Sequence, residues 1–389
     1  MEKSQFSVAA WGRLEQRGQG KASYWAFIPN PLPPPFQYDA MLINALSEAD
    51  RALGELAGLG RTLANPYLLA RPLIAREAVM SSRIEGTQAD LFDLYAYEAA
   101  LPALPGFAIA NDTREVYQYV QAMEYGLQRL QELPMSLRLI QEIHRVLLQG
   151  VRGGYAAPGE FRTTQNWIGA PGCTLSEARY VPPPPDAMRN CLYSFETYLH
   201  QPDEHPPLVR LAWIHYQFEA IHPFIDGNGR TGRLLIVLLM IDWNLLPTPL
   251  LYLSEYFERH RGAYYDLLQA VSERGAWREW TRFFLQGVHE QAQKAVRTLR
   301  KLQDLHARWK QILATAGIRS AVASVALDML MERPVVTPKD IEKRAGCTAV
   351  GARRALQELE QAGIIAVQGT RRPRLVYYAP EVMTILHSD

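Results

Sequence analysis

Cysteine is scarce in this sequence: Cys173, Cys191 and Cys347 stand far apart and form no Cys-x-x-Cys pair. That argues against a disulfide framework, and a reducing compartment is the simplest setting. An excess of either charge is lacking too, since 41 basic residues face 40 acidic ones and leave a net charge of +1. This excludes a globally basic nucleic-acid coat and an acidic solvating tail, though not a local basic patch. Residues 1–20 carry Glu2, Lys3, Arg13, Glu15 and Arg17 without an apolar core, which is no secretory signal. The longest apolar run, residues 234–241, is far shorter than the ~20 residues that a membrane-spanning helix needs. The expectation is a cytoplasmic protein with no membrane segment.

What is present is apolar residues in plenty, 48% of 389. A chain of that length predicts two or three domains, each with its own core. Helical periodicity dominates. In residues 1–106, a proline-punctuated stretch from Ile28 to Pro35, flanked by Tyr24, Trp25, Phe27 and Phe36, must be extended. Leu42, Leu46, Leu53 and Leu56 then share one helix face, and Leu73, Ile74, Ala78 and Met80 share another. That second helix runs into Ser81-Ser82-Arg83-Ile84-Glu85-Gly86, where the glycine is a plausible stop. Residues 107–287 are mostly helical, with stripes at Val116, Val120, Met123 and Leu127 and at Leu139, Ile143, Val146 and Leu147. Short β-prone runs around Trp167-Ile168 and Tyr180-Val181, separated by Pro171-Gly172, predict a β-hairpin flap over 163–185. An amphipathic helix is expected over 288–314, within a connecting stretch 288–318, marked by Val288, Ala292, Leu299, Leu302, Trp309 and Ile312. Residues 319–389 read as a small module: three helices, a turn at Gly346-Cys347-Thr348 and a two-stranded ribbon. That is a winged helix-turn-helix.

The run that carries chemistry is Ile221-His222-Pro223-Phe224-Ile225-Asp226-Gly227-Asn228-Gly229-Arg230-Thr231-Gly232-Arg233. A Gly-x-Gly turn opening a helix presents backbone N–H groups at the positive end of the helix dipole, which suits phosphate oxygens. Arg230 and Arg233 lie three residues apart and add two permanent cations to the first helical turn. Asp226 is placed to hold a divalent ion bridging phosphates, and His222 is a neutral-pH base for a hydroxyl proton. Separately, an Asp-Gly-Asn-Gly turn is ordinary loop chemistry and a histidine beside proline is more often structural. Together within twelve residues they point to phosphoryl or nucleotidyl transfer. A Walker A loop is excluded because no Gly-Lys-Ser/Thr follows, and a zinc site because no His-Glu-x-x-His occurs.

The same run resembles, without a gap, the signature of the Fic family, His-x-Phe-x-Asp/Glu-Gly-Asn-Gly-Arg-x-x-Arg. Ser81 to Gly86 is similar to that family's inhibitory motif, Ser/Thr-x-x-x-Glu-Gly/Asn. Residues 24–34 and Pro158-Gly159-Glu160-Phe161-Arg162 also resemble segments of such proteins, so the likeness covers roughly residues 20–290. The resemblance implies a mainly α fold, a Fic helical core with its flap, and transfer of AMP from ATP to a protein hydroxyl. It implies that His222 deprotonates the target Ser, Thr or Tyr and that Asp226 positions Mg²⁺ or Mn²⁺. It assigns Gly227, Asn228, Gly229, Arg230, Thr231 and Arg233 to the nucleotide. Arg233 would contact the γ-phosphate, or pair with Glu85 when the protein is inhibited, with Ser81 and Gly86 completing the inhibitory motif. Relatives with such a glutamate also remove AMP.

The C-terminal module is locally basic, with ten Lys/Arg against six Asp/Glu over 319–379. Arg353 and Arg354 fall on its third helix and Arg371, Arg372 and Arg374 on its ribbon tip, a distribution suited to duplex DNA. A protein-binding or dimerising module with a solvated basic tip remains the alternative, and the helix at 288–314 could serve a homodimer. Two functions therefore stand. One is an autoinhibited AMP-transferase acting on a protein target; the other is a DNA-binding regulator whose Fic core senses nucleotide. The intact His222 favours the first, because a sensor needs no base.

Overall fold

Prolines and short polar side chains set where the helices begin. Asn65 accepts from the Leu68 N–H at 3.3 Å ahead of Pro66, Ser136 caps Leu139, and Thr337 and Asp340 form a reciprocal capping box ahead of Pro338. The computed structural model describes all residues except 2, 21–22, 64, 101–110, 152–155, 171, 369–375 and 388–389. A hairpin of β1 (Gly12–Arg17) and β2 (Tyr24–Pro29) opens the chain, with Gly12 opposite Pro29 and Arg17 opposite Tyr24. Helices α1 (Ala40–Thr62), α2 (Pro66–Ile84), α3 (Leu91–Ala100), α4 (Asn111–Arg129) and α5 (Leu137–Leu147) follow. Then come α6 (Pro185–His200), α7 (Pro207–Ile221), α8 (Asn228–Asp242), α9 (Ser254–Arg259), α10 (Arg261–Arg274) and the long α11 (Trp277–Thr315). The C-terminal part is α12 (Ala321–Glu332), β3 (Val335–Val336), α13 (Pro338–Ala345), α14 (Ala349–Gln361), β4 (Ala366–Gln368), β5 (Val376–Tyr378) and α15 (Pro380–His387). Among the described residues no helix is long and apolar enough to cross a membrane.

The chain packs as two compact units, each assembled from separated stretches. The first comprises Met1–Gly54, Gln121–Leu245 and Leu253–Glu290. At its centre is α8, buried at every position from 234 to 240, as expected of a helix that is apolar all round. Helix α7 packs along α8, with α6 and α10 against α7 and α5 against α8. Two tryptophans fix α7 to the start of α11 by both area and polarity. Trp280 donates its indole N–H to the Ala212 carbonyl at 2.7 Å, and Trp213 donates to the Thr281 hydroxyl at 3.1 Å.

The second unit comprises Glu55–Val120, Leu246–Tyr252 and Gln291–Asp389. Its hub is α2, whose burial extends to Arg71, Arg76 and Glu77. Such charges stay buried only when paired. Arg71 meets Glu98 of α3 at 2.5 Å, and the Tyr119 hydroxyl donates to Glu77 at 3.0 Å. Helices α12 and α15 pack on α2, and α3 lies against β3. Helices α12, α13 and α14 pack on one another beside an antiparallel sheet in the order β3-β5-β4.

Several elements differ from the sequence reading. The ribbon has a third strand, β3, too short at two residues to show any alternation. The long helix begins at Trp277 because Trp280, Phe284 and Leu285 continue the buried stripe of Val288. The hairpin expected over 163–185 is, among the described residues, a loop closed by one bridge between Ile168 and Tyr180. A short 3-10 turn at Leu175–Glu177 and four consecutive prolines, 182–185, leave little room for a longer ladder there. The basic tip at 369–374, with Arg371, Arg372 and Arg374, lies outside the described residues.

Candidate active site

The loop between α7 and α8 is made by a backbone turn that few side chains accept. His222 caps α7 in the left-handed region, φ 48° and ψ 61°, a conformation that histidine enters more readily than most non-glycine residues. Its Nδ1 lies 3.3 Å from the Glu219 carbonyl, which can only accept. The proton of the neutral ring therefore sits on Nδ1, and Nε2 keeps the lone pair that a base requires.

Four residues on, the Asp226 carboxylate accepts from the Gly227 N–H at 2.6 Å and lies 3.8 Å from the Arg230 guanidinium. Its side chain is 43% exposed, so one face of the carboxylate is open to a ligand. Gly227 caps α8 with φ 76°, the left-handed geometry that glycine supplies without a Cβ clash. Asn228 and Thr231 serve the loop itself. Asn228 accepts from the Phe224 N–H and donates to the Phe224 carbonyl, both at 2.8 Å, and the Thr231 hydroxyl donates to the Gly227 carbonyl at 2.8 Å. Gly229 and Arg230 fall in the first turn of α8 and Arg233 one turn further on, and both arginines are buried. A helix N-terminus flanked by two arginines, an exposed carboxylate and an imidazole base is suited to an anionic substrate undergoing proton-coupled substitution.

Comparison with known proteins agrees with this geometry. Residues 43–128 match the Fic/DOC family N-terminal region, and residues 134–240 match the Fic/DOC family. The chain carries a Fic domain. A protein adenylyltransferase Fic of Drosophila grimshawi is 32% identical over 206 residues, 51% of this chain and 38% of that protein. One of Aedes aegypti is 34% identical over 154 residues, 38% of this chain and 27% of that protein. The chain thus matches between 27% and 38% of the length of these curated relatives. A crystal structure of a Fic family protein from Desulfovibrio desulfuricans G20 shares the fold, with a TM-score of 0.57 and 20% identity, over 90% of this chain and 98% of that one.

Around the Fic loop stand residues that the sequence did not reveal as functional. His144, on α5, is fully buried and stacks on Phe224 with ring centroids 3.7 Å apart and an angle of 5°. Burial holds its pKa down, to about 4, against an ordinary 6.5. Arg162 is also buried, and desolvation lowers its pKa to about 10. Its guanidinium donates to the carbonyls of His222 at 2.9 Å, Thr164 at 3.2 Å, Pro183 at 2.5 Å and Ile221 at 3.4 Å. Asn166 donates to the Phe224 carbonyl at 2.8 Å. The base of the flap is bound in turn to the N-terminal hairpin, since the Phe27 N–H donates to the Val181 carbonyl at 2.9 Å. The sequence signal for Arg162 is the Pro158-Gly159-Glu160-Phe161-Arg162 run, which carries a likeness without a role.

The remaining expected residues belong to the second unit. Glu85 caps α2, its N–H reaching the Ser82 carbonyl at 3.0 Å, and Gly86 follows with φ 100°. Ser81 and Ser82 are buried and Glu85 is exposed. Arg353 and Arg354 are exposed on α14, with Arg354 paired to Glu358 at 3.0 Å.

His215 is a core residue of the Fic domain, with Nε2 2.8 Å from the Tyr264 hydroxyl and Nδ1 3.3 Å from the Gly232 carbonyl. Burial first, then Arg233, depresses its pKa to about 3. The unfolded chain takes up that proton more readily, so the stability from this group is complete above pH 6.5 and falls as the pH drops towards 3. Between pH 7 and 5.5 the unfolding free energy should fall by at least about 1 kcal/mol. Urea titrations at the two pH values check this; an unchanged midpoint would mean that the ring is not held neutral.

Proposed function

We propose that this chain is an autoinhibited protein AMP-transferase that moves AMP from ATP to a Ser, Thr or Tyr hydroxyl of a protein target. The observation that carries the reading is the placement of the His222 ring, whose Nδ1 faces the Glu219 carbonyl at 3.3 Å. With Nδ1–H directed at the Glu219 carbonyl, the neutral ring carries its lone pair on Nε2, which suits that atom to accept a hydroxyl proton at the loop that leads into the Gly227–Gly229 turn. In the proposed step the target oxygen forms a bond to the α-phosphorus while its proton passes to Nε2. The α–β phosphoanhydride bond breaks, and pyrophosphate leaves with the electron pair. The amides at the start of α8, with Arg230 and Arg233, stabilise the phosphates without moving during the reaction.

Asp226 suits a Mg²⁺ ion. Among the described residues no group of three or more His, Cys, Asp or Glu could hold a metal by itself. One exposed carboxylate instead fits an ion whose other ligands are water and phosphate oxygens. Such an ion would bridge the phosphates and neutralise their charge. Asp226→Asn should raise the Mg²⁺ concentration for half-maximal transfer about fivefold, the equivalent of roughly 1 kcal/mol. A Mg²⁺ titration that superposes on wild type would remove the assignment.

The comparison proteins named adenylyltransferase support the reaction class; the inhibitory role of Glu85 and a possible removal of AMP rest on the Ser81–Gly86 motif. The test is incubation with ATP labelled at the α- or the γ-phosphate. Label should pass to protein from the α position only, and more strongly in Glu85→Gly. No transfer from either protein to itself or to a cell extract would refute the reading.

A second activity is favoured by α14, whose outward positions include Arg353, Arg354 and Val350, the last 74% exposed. We read residues 319–389 as a winged helix that presents this helix to the DNA major groove. A fluorescent duplex that shows no salt-dependent binding at low ionic strength would leave a protein-docking role.

A further inference from the structure

Asp226 has two connections to the rest of the fold, one through its side chain and one through its peptide. The Gly227 N–H that holds its carboxylate and the Asp226 carbonyl belong to the same peptide plane. Whatever grips that carbonyl therefore orients the N–H, and through it the carboxylate. His144 grips it, with Nε2 2.9 Å from the Asp226 carbonyl oxygen. The other side of the ring fixes the tautomer, because the Gly159 N–H donates to Nδ1 at 2.9 Å. A nitrogen that accepts carries no proton, so the neutral ring has its hydrogen on Nε2, pointing at the carbonyl. Both bonds are satisfied by one tautomer. The stack on Phe224 holds the ring plane, and Nε2 stands 3.4 Å from where a Cβ at Gly227 would lie, so ring and turn are in van der Waals contact.

We propose that His144 is a positioning residue of the active site: through the Asp226–Gly227 peptide it sets the direction of the Asp226 carboxylate and of the first amide of the phosphate turn. This rests on the AMP-transfer reading. Its partners lie 15 residues on at Gly159 and 82 residues on at Asp226, so α5 acts as the fixed wall against which the loop is aligned.

Two substitutions separate positioning from simple packing. In His144→Gln the amide nitrogen can reach where Nε2 was, keeping the donor to Asp226 and losing the acceptor for Gly159. In His144→Asn the side-chain oxygen takes the place of Nδ1, keeping Gly159 and losing Asp226. Measured in the Glu85→Gly background of the full chain, Gln should retain kcat within about threefold, while Asn should lose at least about tenfold with little change in KM for ATP. Equal activities, or activities that simply follow the two melting temperatures, would overturn the proposal. A readout independent of activity and of substitution is the ring itself. Nitrogen-15 spectra of the wild-type protein should show protonated Nε2 and unprotonated Nδ1 at His144; the opposite tautomer would also overturn it. If the parent Glu85→Gly protein transfers no label, the AMP-transfer reading fails, and the nitrogen spectra still decide whether His144 grips the loop.

Discussion

Replacing His222 by alanine should lower AMP transfer by about 10²–10⁴-fold, the usual contribution of a positioned general base. ATP binding should persist, because the phosphate turn is held by other groups: Asn228 and Thr231 tie it to its own backbone, and Arg162 holds the start of the loop through the backbone carbonyl of residue 222. Folding is the point that needs a control. The backbone at 222 is left-handed, and alanine there is strained by roughly 1 kcal/mol relative to a residue that tolerates that region. His222→Asn meets the objection, since asparagine accepts the left-handed region and offers no base near neutral pH. Both variants should bind ATP by calorimetry with near wild-type affinity and fail in single-turnover transfer of α-phosphate label. Transfer at the parental rate by either folded variant would remove His222 from the mechanism.

The candidate loop was readable because its polar and charged groups are contiguous. Base, carboxylate, turn and two arginines fall within residues 222–233, so no knowledge of tertiary structure was needed to bring them together. The C-terminal helices were equally legible, since each carries its own boundary marks: the Thr337 and Asp340 capping box, Gly346 at φ 61°, and Thr348 accepting from the Gly351 N–H. The scaffold of the site was not legible. His144 lies on the apolar side of an amphipathic helix, where a histidine reads as one more core residue, and its partners are backbone atoms, which leave no trace in sequence. Arg162 likewise addresses carbonyls as far away as Ile221 and His222. The bounds of α11 were missed for a different reason: the stripe of Trp280, Phe284 and Val288 is continuous across residue 287, where a domain edge was expected.

Glu85→Gly should raise AMP transfer, auto-modification included, by at least about tenfold, a change that needs only about 1.4 kcal/mol. The proposed cause is competition for a cation. A carboxylate paired with Arg233 makes a charge-assisted contact of about the required strength and denies the guanidinium to the γ-phosphate. The substitution is mild for the helix that carries it. Glu85 is the C-cap of α2, outside the helix interior, and the next residue is already a glycine at φ 100°. Glycine at 85 therefore changes the charge with little change to the helix end, while the buried Ser81 and Ser82 keep the last turn in place. Arg233, for its part, is only 2% exposed in the second turn of α8, so its charge is poorly screened by water and depends on a partner. The double variant Glu85→Gly with Arg233→Ala separates release of the arginine from a general loosening. If the freed arginine is what ATP requires, the double variant should fall below the single one in both ATP affinity and transfer. If both remain as active as Glu85→Gly alone, relief does not act through Arg233. A Glu85→Gly protein that binds ATP no better and transfers no faster than wild type would reduce residues 81–86 to an ordinary helix end.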